Sequence, residues 1–209
     1  SSDLLAQLLH AHEIYLIEDD VYEELYFDHK KPLSMKYFDQ QNLVLHCSSF
    51  SKTLGAGFRV GWVYAGKFSE HIQHLQLMST LSVNSFIQNA LADYLSHRYY
   101  EKHLKTLRNT LKRLKNQYYH YLSAHLPEGC SIDYYPSGYF LWIALPAQMD
   151  SNLIYHQLLE KGISVAPGAL FYRTDKKHNH IRVNCSFEMT EKMQQALHGL
   201  VQCIKASQL

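Results

Sequence analysis

Glycine, proline and cysteine are scarce in this chain, and long apolar runs are missing. Only 9 Gly and 5 Pro occur in 209 residues, which argues against a fibrous or low-complexity protein. No stretch approaches the roughly 18 to 20 unbroken apolar residues that a membrane-spanning helix needs. Because 46% of the side chains are hydrophobic, the chain can bury a sizeable core. These features predict a globular, soluble protein that does not enter a membrane.

The few cysteines indicate the redox compartment. Cys47, Cys130, Cys185 and Cys203 are far apart and lie within apolar stretches. This fits buried, reduced thiols better than a disulfide framework or a CxxC metal site, and it predicts a cytoplasmic location. The first residues, 1–5, lack the basic region and apolar core of a signal peptide, so no export is expected.

Neither sign of charge is in excess, with 20 Lys and Arg against 19 Asp and Glu. A nucleic-acid or anionic-membrane binder needs a basic surface, so any DNA contact is expected to come from elsewhere. The basic residues from Lys102 to Lys115 follow the period of an apolar helical stripe and indicate a solvated face. The 14 histidines have no Cys or carboxylate partner at the spacing of a zinc motif, so we predict no metal site.

The hydrophobic pattern predicts an α/β chain in two parts, residues 1–100 and 101–209. In the first part, alternation of helix and strand suggests a parallel-rich sheet. Its predicted elements are a helix at 3–12, buried strands at 14–17, 43–47 and 60–65, and a helical region from 68 to about 126 that is broken near 82–85. The second part is predicted to be a smaller α+β unit. Its predicted elements are strands at 131–135, 139–145, 163–166 and 181–185, and helices at 153–161 and from 190.

A lysine between hydroxyl residues follows the second predicted strand. Residues 49–61 read Ser-Phe-Ser-Lys-Thr-Leu-Gly-Ala-Gly-Phe-Arg-Val-Gly. The hydroxyls of Ser49 and Ser51 and the guanidinium of Arg59 can hold a phosphate, and the amine of Lys52 can form a Schiff base with an aldehyde. An aldehyde that carries a phosphate is pyridoxal phosphate. A Walker loop is excluded because no glycine precedes the lysine.

This segment resembles the lysine signature of class I/II aminotransferases of fold type I, Ser-x-Ser-Lys followed by Arg-x-Gly. The resemblance implies that Lys52 binds the cofactor covalently and later moves the proton at the substrate's α-carbon. It also implies that Ser49, Ser51 and Arg59 bind the phosphate.

Two more segments resemble the same family. Residues 17–23, Ile-Glu-Asp-Asp-Val-Tyr-Glu, match its Asp-x-x-Tyr element, which implies that Asp19 pairs with the pyridine nitrogen and Tyr22 with the ring oxygen. Residues 180–187 resemble its C-terminal strand, which implies that Arg182 grips the α-carboxylate of an amino acid. On its own, the first segment would be taken for an acidic loop, and Arg182 for an arginine paired at a strand end. Their order around the lysine motif favours the cofactor site.

Within this superfamily, residues 44–52, 75–82 and 137–142 are most similar to the MocR-type branch of GntR regulators. Members of that branch carry a winged helix-turn-helix before an aminotransferase-like domain. The resemblance implies an effector domain that binds pyridoxal phosphate and an amino compound, forms a homodimer, and acts on DNA through an N-terminal module absent from this chain. A free-standing, catalytically active aminotransferase that moves an amino group from an amino acid to a 2-oxo acid stays open as the alternative.

The resemblance also assigns the two parts. Residues 1–100 would be the C-terminal part of the cofactor-binding large domain, and residues 101–209 the interdomain helix and the small C-terminal domain. Only three strands precede the helical region, which is too few to cover both faces of a doubly wound domain. We therefore expect this chain to lack the first half of the large domain.

Overall fold

A computed structural model describes residues 2–172 and 178–208 of the chain. The chain divides into two compact units, Ser1–Leu107 and Arg108–Leu209. None of the helices in the described ranges has the length and apolar character that crossing a membrane requires.

The first unit contains a three-stranded sheet in the order β1-β2-β3. Its elements are α1 (Ser2–His12), β1 (Leu16–Asp19), α2 (Met35–Phe38), β2 (Val44–Ser49), β3 (Gly61–Tyr64), α3 (Ser69–Thr80), α4 (Ser85–Ser96) and the first part of α5 (Tyr99–His125). Each predicted strand is present, although β1 begins two residues later than its apolar run.

The direction of β3 differs from the parallel direction that alternating helices and strands predict. Strands β1 and β2 are parallel, but β2 and β3 are antiparallel, with Ser49 opposite Gly61. The connecting segment 50–60 folds back on itself and contains no crossover helix, which a parallel connection requires. The sheet is therefore mixed.

The burial predicted for the first and third strands is wrong, since every residue of β3 is exposed as well. Ile14, Tyr15 and Ile17 are 48%, 51% and 74% exposed. An apolar run predicts a strand, but burial depends on a second layer over that face of the sheet. Among the described residues of this unit, no such layer covers these side chains.

The predicted helix break at 82–85 has a clear local cause. Helix α3 ends at Thr80, and the next residue, Leu81, has a φ of 59°, in the left-handed region. Helix α4 then begins after Asn84, whose side-chain oxygen accepts the N–H groups of Phe86 and Ile87 at 3.0 and 3.2 Å. Asparagine is a favoured N-cap because it satisfies donors that the helix itself leaves open.

The second unit contains a four-stranded antiparallel sheet in the order β4-β5-β7-β6. Its elements, besides the rest of α5, are β4 (Ser131–Asp133), β5 (Phe140–Ala144), α6 (Ser151–Leu159), β6 (Ala166–Pro167), β7 (His180–Asn184) and α7 (Glu191–Ala206). The strand predicted at 163–166 is reduced to the two residues of β6.

A single apolar cluster lies between this sheet and its helices. It includes Tyr118 and Leu122 of α5, Leu141 of β5 and Ile181 of β7, each fully inaccessible. Burying a large apolar side chain stabilises a fold by about 1.5–3 kcal/mol. The central strand β7 is therefore a rigid support for the residues that it carries.

All four cysteines are free thiols. Cys185 and Cys203 are buried, as predicted, whereas Cys47 and Cys130 are only partly buried. Burial raises the pKa of each thiol above its ordinary value, and it raises that of Cys185 to about 12.

Candidate functional site

The carboxyl ends of β1 and β2 meet at one edge of the first sheet, because these two strands are parallel. Asp19 is the last residue of β1 and Ser49 the last residue of β2. Beyond the strand ends, Asp20 N–H donates to the carbonyl of Cys47 at 2.8 Å, and Ser48 Oγ donates to the carbonyl of Asp20 at 3.0 Å. The segments that carry the Asp-x-x-Tyr and lysine motifs are thus bonded together.

The segment with Lys52 forms a tight turn after β2. The carbonyl of Phe50 accepts the N–H groups of Thr53, Leu54 and Gly55, at 3.3, 2.9 and 3.2 Å. The N–H of Phe50 donates to the carbonyl of Val60 at 3.1 Å and closes the far end of the loop. These bonds hold the lysine backbone beside the strand end.

Helix α5 holds this turn in place through Thr53, which is only 5% exposed. The hydroxyl of Tyr100 donates to Thr53 Oγ1 at 3.2 Å, and His103 Nε2 donates to the carbonyl of Thr53 at 2.6 Å. Neither Tyr100 nor His103 was expected at the site from the sequence. No local motif marks them, since they follow Thr53 by about fifty positions in the chain.

Lys52 and Tyr22 come together at this edge. Lys52 Nζ lies 5.6 Å from the centroid of the Tyr22 ring. Tyr22 precedes a short 3-10 turn, Glu23–Leu25, which directs the chain back after β1. Asp19 is exposed at the end of the same strand. The amine, the phenol and the carboxylate are therefore carried by neighbouring segments of one sheet edge.

The three residues predicted to bind phosphate flank the same turn. Ser49 Oγ accepts the N–H of Ser51 at 3.4 Å. Arg59 immediately precedes Val60, the residue that closes the loop against Phe50. The φ of Arg59 is 53°, in a left-handed region that costs a non-glycine residue roughly 1–2 kcal/mol. Arg59 is exposed, so its guanidinium can reach an anion at the mouth of the loop.

A polar network lies next to this edge. The ligand atoms of Asp20, Glu23 and His46 lie within 4.8 Å of one another, close enough to surround a metal ion. Each already has a protein partner, because His46 Nε2 is 3.1 Å from Asp20 Oδ2 and Lys31 Nζ is 2.7 Å from Glu23 Oε1. Burial and the nearby Glu23 carboxylate raise the pKa of Asp20, although its bond to His46 acts in the opposite direction. We assign this group a structural role.

Arg182 belongs to the second unit, where it lies on β7 between two other strands. Its Cα partners are Trp142 on β5 and Ala166 on β6. Its guanidinium carbon lies 4.2 Å from the ring centroid of Phe140 and 4.3 Å from that of Phe171. The Nε atom is buried and has no hydrogen-bond partner among residues 2–172 and 178–208. Arg182, the residue predicted to bind a carboxylate, thus has aromatic neighbours that the motif did not indicate.

Comparison with known proteins identifies the family. The model of the family described as aminotransferase class I and II matches residues 3–200. The chain therefore belongs to that family. This confirms the resemblance seen in the lysine motif, and pyridoxal phosphate is the cofactor that the family implies.

The similar curated proteins are regulators. YdcR of Escherichia coli, an HTH-type transcriptional regulator, is 45% identical over 201 residues, which is 96% of this chain and 43% of YdcR. YjiR of Escherichia coli, also of HTH type, is 32% identical over 198 residues, 94% of this chain and 42% of YjiR. This confirms the predicted likeness to helix-turn-helix regulators with an aminotransferase-like region. The chain spans about two fifths of the length of these relatives.

The similar solved structures are aminotransferases, which confirms the predicted fold. The multiple substrate aminotransferase of Thermococcus profundus has a TM-score of 0.92 and 25% identity over 99% of this chain and 52% of its own. The kynurenine aminotransferase of Pyrococcus horikoshii has a TM-score of 0.91 and 27% identity over 98% of this chain and 51% of its own. The structure therefore corresponds to part of an aminotransferase fold.

Proposed function

We propose that this chain is the pyridoxal-phosphate-binding effector domain of a GntR/MocR-type transcriptional regulator. The observation that carries the proposal is the approach of Lys52 Nζ to the Tyr22 ring, 5.6 Å from its centroid, at the edge where β1 and β2 end. The similarity to HTH-type regulators over 96% of the chain supports the regulatory role.

The donors at this edge fit the proposed cofactor. Lys52 supplies a primary amine for an aldehyde carbon, while two hydroxyls and a guanidinium, those of Ser49, Ser51 and Arg59, suit a phosphate. The carboxylate of Asp19, an acceptor, suits the ring nitrogen, and the phenol of Tyr22, a donor, suits the ring oxygen. A single pyridoxal phosphate site therefore accounts for the amine, the phosphate-binding groups and the carboxylate that lie at the adjoining ends of β1 and β2.

In this proposal each residue has a defined role. Lys52 holds the cofactor and moves a proton to and from the α-carbon of the amino compound. Asp19 accepts a hydrogen bond from the ring nitrogen and keeps it protonated, and Tyr22 donates one to the ring oxygen. When bound, pyridoxal phosphate supplies an electron sink for that α-carbon.

Arg182 is proposed to bind the carboxylate of the amino compound. The guanidinium fork matches a carboxylate in two parallel hydrogen bonds. Its buried Nε has no hydrogen-bond partner in the described ranges, so this N–H donor is unused there. An amino acid or a related amino compound is therefore the proposed effector.

The remaining parts of the proposal concern the whole protein. We expect a homodimer in the cytoplasm that contacts DNA through a helix-turn-helix module outside this chain. The printed names of the relatives, which are HTH-type transcriptional regulators, support this expectation. The nearly balanced charge, 20 basic against 19 acidic residues, agrees with a DNA contact made elsewhere.

A free-standing aminotransferase is the second candidate, and the solved aminotransferases that cover 98–99% of this chain favour it. Fold likeness alone does not decide between the two. Amino-acceptor assays on the full-length protein separate them. Robust turnover with ordinary 2-oxo acids supports the enzyme, whereas operator binding that responds to an amino compound supports the regulator.

The cofactor site is tested by absorption spectroscopy of the full-length protein. Wild-type protein loaded with pyridoxal phosphate should show a visible band that Lys52→Ala abolishes, since no other amine is assigned to the aldehyde. Lys30→Ala, which removes an exposed lysine of the same unit, is the control and should keep the band. A band that persists in Lys52→Ala removes that lysine from its assigned role.

Arg182→Ala tests the carboxylate site separately. We expect about ten- to hundredfold weaker amino-acid binding, the range for losing a charge-assisted hydrogen bond. The visible cofactor band should remain, because the carboxylate grip and cofactor capture are separate contacts. Equal loss of both contradicts the assignment.

A further inference from the structure

The guanidinium of Arg182 lies close to two phenyl rings. Its central carbon is 4.2 Å from the Phe140 centroid and 4.3 Å from the Phe171 centroid. Both distances fall well inside the range of roughly 6 Å over which a cation is attracted to a ring face. The two rings come from different segments, because Phe140 begins β5 and Phe171 ends a 3-10 turn, Gly168–Phe171, after β6.

Within the described part of the chain, no hydrogen bond or ion pair sets the orientation of this arginine. Among residues 2–172 and 178–208, no carboxylate forms an ion pair with Arg182, and its buried Nε has no hydrogen-bond partner. A flexible side chain without such contacts would sample many rotamers. The rings are therefore the contacts in the described structure that restrict the guanidinium.

The turn that carries Phe171 is itself anchored. The N–H of Gly168 donates to Ser151 Oγ at 3.2 Å, and Ser151 is fully buried. A Cβ atom at Gly168 would lie 3.0 Å from the carbonyl of His180 on β7, so only glycine allows this close approach without a shift. The turn is thus held against the strand that bears Arg182.

The ring of Phe171 is also supported from the side. Trp142 meets it edge to face, with centroids 5.3 Å apart, and Trp142 stacks on His180 with centroids 5.4 Å apart. Phe171 is nevertheless 43% exposed, so burial in a core does not account for its position. An exposed phenyl group beside a guanidinium is better explained by the cation that it covers.

We propose that Phe140 and Phe171 form an aromatic clamp that orients the Arg182 guanidinium for the carboxylate of the amino compound. The clamp rests on the proposed function, in which Arg182 binds that carboxylate. A ring that packs on a guanidinium excludes water from its face, which leaves the in-plane N–H edge for a bidentate partner. Because the fork is ordered before the ligand arrives, less conformational entropy is lost on binding. Phe140 and Phe171 are positioning residues.

The test compares ring-keeping and ring-removing substitutions in the full-length, cofactor-loaded protein. The probes are L-alanine, L-glutamate and L-phenylalanine, and their Kd values are measured from the change in visible absorption. Phe171→Leu should weaken the binding of each probe by about three- to tenfold, the loss expected for one cation–π contact. Phe171→Tyr keeps the ring face and should stay within about twofold of wild type.

Two controls distinguish an effect on the orientation of Arg182 from an effect on folding. Phe187→Leu removes another exposed phenyl of the same unit, 56% accessible, and should leave every Kd unchanged. In an Arg182→Ala background, Phe171→Leu should have no further effect, because the ring acts only through the arginine. Thermal unfolding of each variant checks that the fold is intact.

The outcomes distinguish this inference from the function on which it rests. If no probe binds, or if Arg182→Ala binds the probes as tightly as wild type, the carboxylate assignment is overturned and the clamp with it. If Arg182→Ala weakens binding but Phe171→Leu does not, the clamp alone is overturned. If Phe171→Tyr is as weak as Phe171→Leu, the ring face is not what orients Arg182, and the clamp is again overturned.

Discussion

The carboxylate of Asp39 organises the segment that leads into β2. Its side chain is fully inaccessible. Oδ1 accepts the N–H groups of Gln41 and Leu43 at 3.2 and 3.0 Å, and Oδ2 accepts the N–H of Val44 at 2.9 Å and the ammonium of Lys36 at 2.8 Å. One carboxylate thus satisfies three backbone donors and one cation at the start of the strand that ends at the candidate site.

The substitution Asp39→Ala should therefore be strongly destabilising. A net intramolecular hydrogen bond contributes about 1 kcal/mol, and more when one partner is charged. Losing three backbone bonds and the bond from Lys36 should lower the free energy of unfolding by roughly 3–4 kcal/mol. Asp28→Ala, at an exposed carboxylate of the same unit, is the matched control and should change it by less than about 0.5 kcal/mol.

The effect of Asp39 should depend on pH. Burial alone would raise the pKa of Asp39, but the hydrogen bonds from Lys36, Val44 and Leu43 hold it well below its ordinary value. A carboxylate with a lowered pKa in the folded state stabilises the fold fully above its unfolded pKa, about 3.9. That contribution is lost as pH falls through the folded-state pKa. The gap between wild type and Asp39→Ala should therefore narrow below about pH 4.

Denaturant unfolding at several pH values measures the difference in free energy of unfolding between wild type and Asp39→Ala. Amide hydrogen exchange at Leu43 and Val44 shows whether the loss of stability arises at the start of β2. Both amides should exchange faster in Asp39→Ala than in Asp28→Ala. The reasoning is refuted if the two variants are equally stable at neutral pH. It is also refuted if the gap is the same at pH 3 and pH 7.

Two further predictions concern buried groups of the second unit. The sequence predicted Lys115 on a solvated face, but it is only 1% exposed and donates to the carbonyls of Tyr135 and Ser137 at 2.8 and 2.7 Å. Lys115→Met should therefore lower the free energy of unfolding by about 2 kcal/mol. Burial lowers the pKa of Lys115, so the cost of burying its ammonium falls as the pH rises towards the ordinary pKa of a lysine. In denaturant titrations, the difference in free energy of unfolding between wild type and Lys115→Met should therefore widen as the pH rises, and a narrowing difference would contradict this. Burial raises the pKa of Cys185 to about 12. Its alkylation by iodoacetamide at pH 8, followed by mass spectrometry, should be at least roughly a thousandfold slower in the folded protein than in denaturant, and equal rates would refute the assignment.

Local sequence was sufficient to predict the first-unit motifs. Lys52 and its serines follow an apolar strand within a few residues, and the Asp19 and Tyr22 motif follows another. The resemblance of both motifs to one family was the ground for expecting these residues in one site, and the parallel pairing of β1 and β2 brings the ends of both strands to one sheet edge. The cap at Asn84 is equally local, because a helix start depends on the residues of its first turn.

Other features depended on contacts between distant parts of the chain. The antiparallel direction of β3, the exposure of Ile17 and the anchoring of Thr53 by α5 involve pairings that periodicity does not encode. The ring of Phe171 beside Arg182 belongs to the same class. Sequence by itself predicted the helices and strands, because propensity and hydrophobic period act over a few positions, and the family resemblance of its motifs assigned the candidate site residues to them. Only the tertiary structure decided which side chains face one another, because those contacts depend on how separate elements pack.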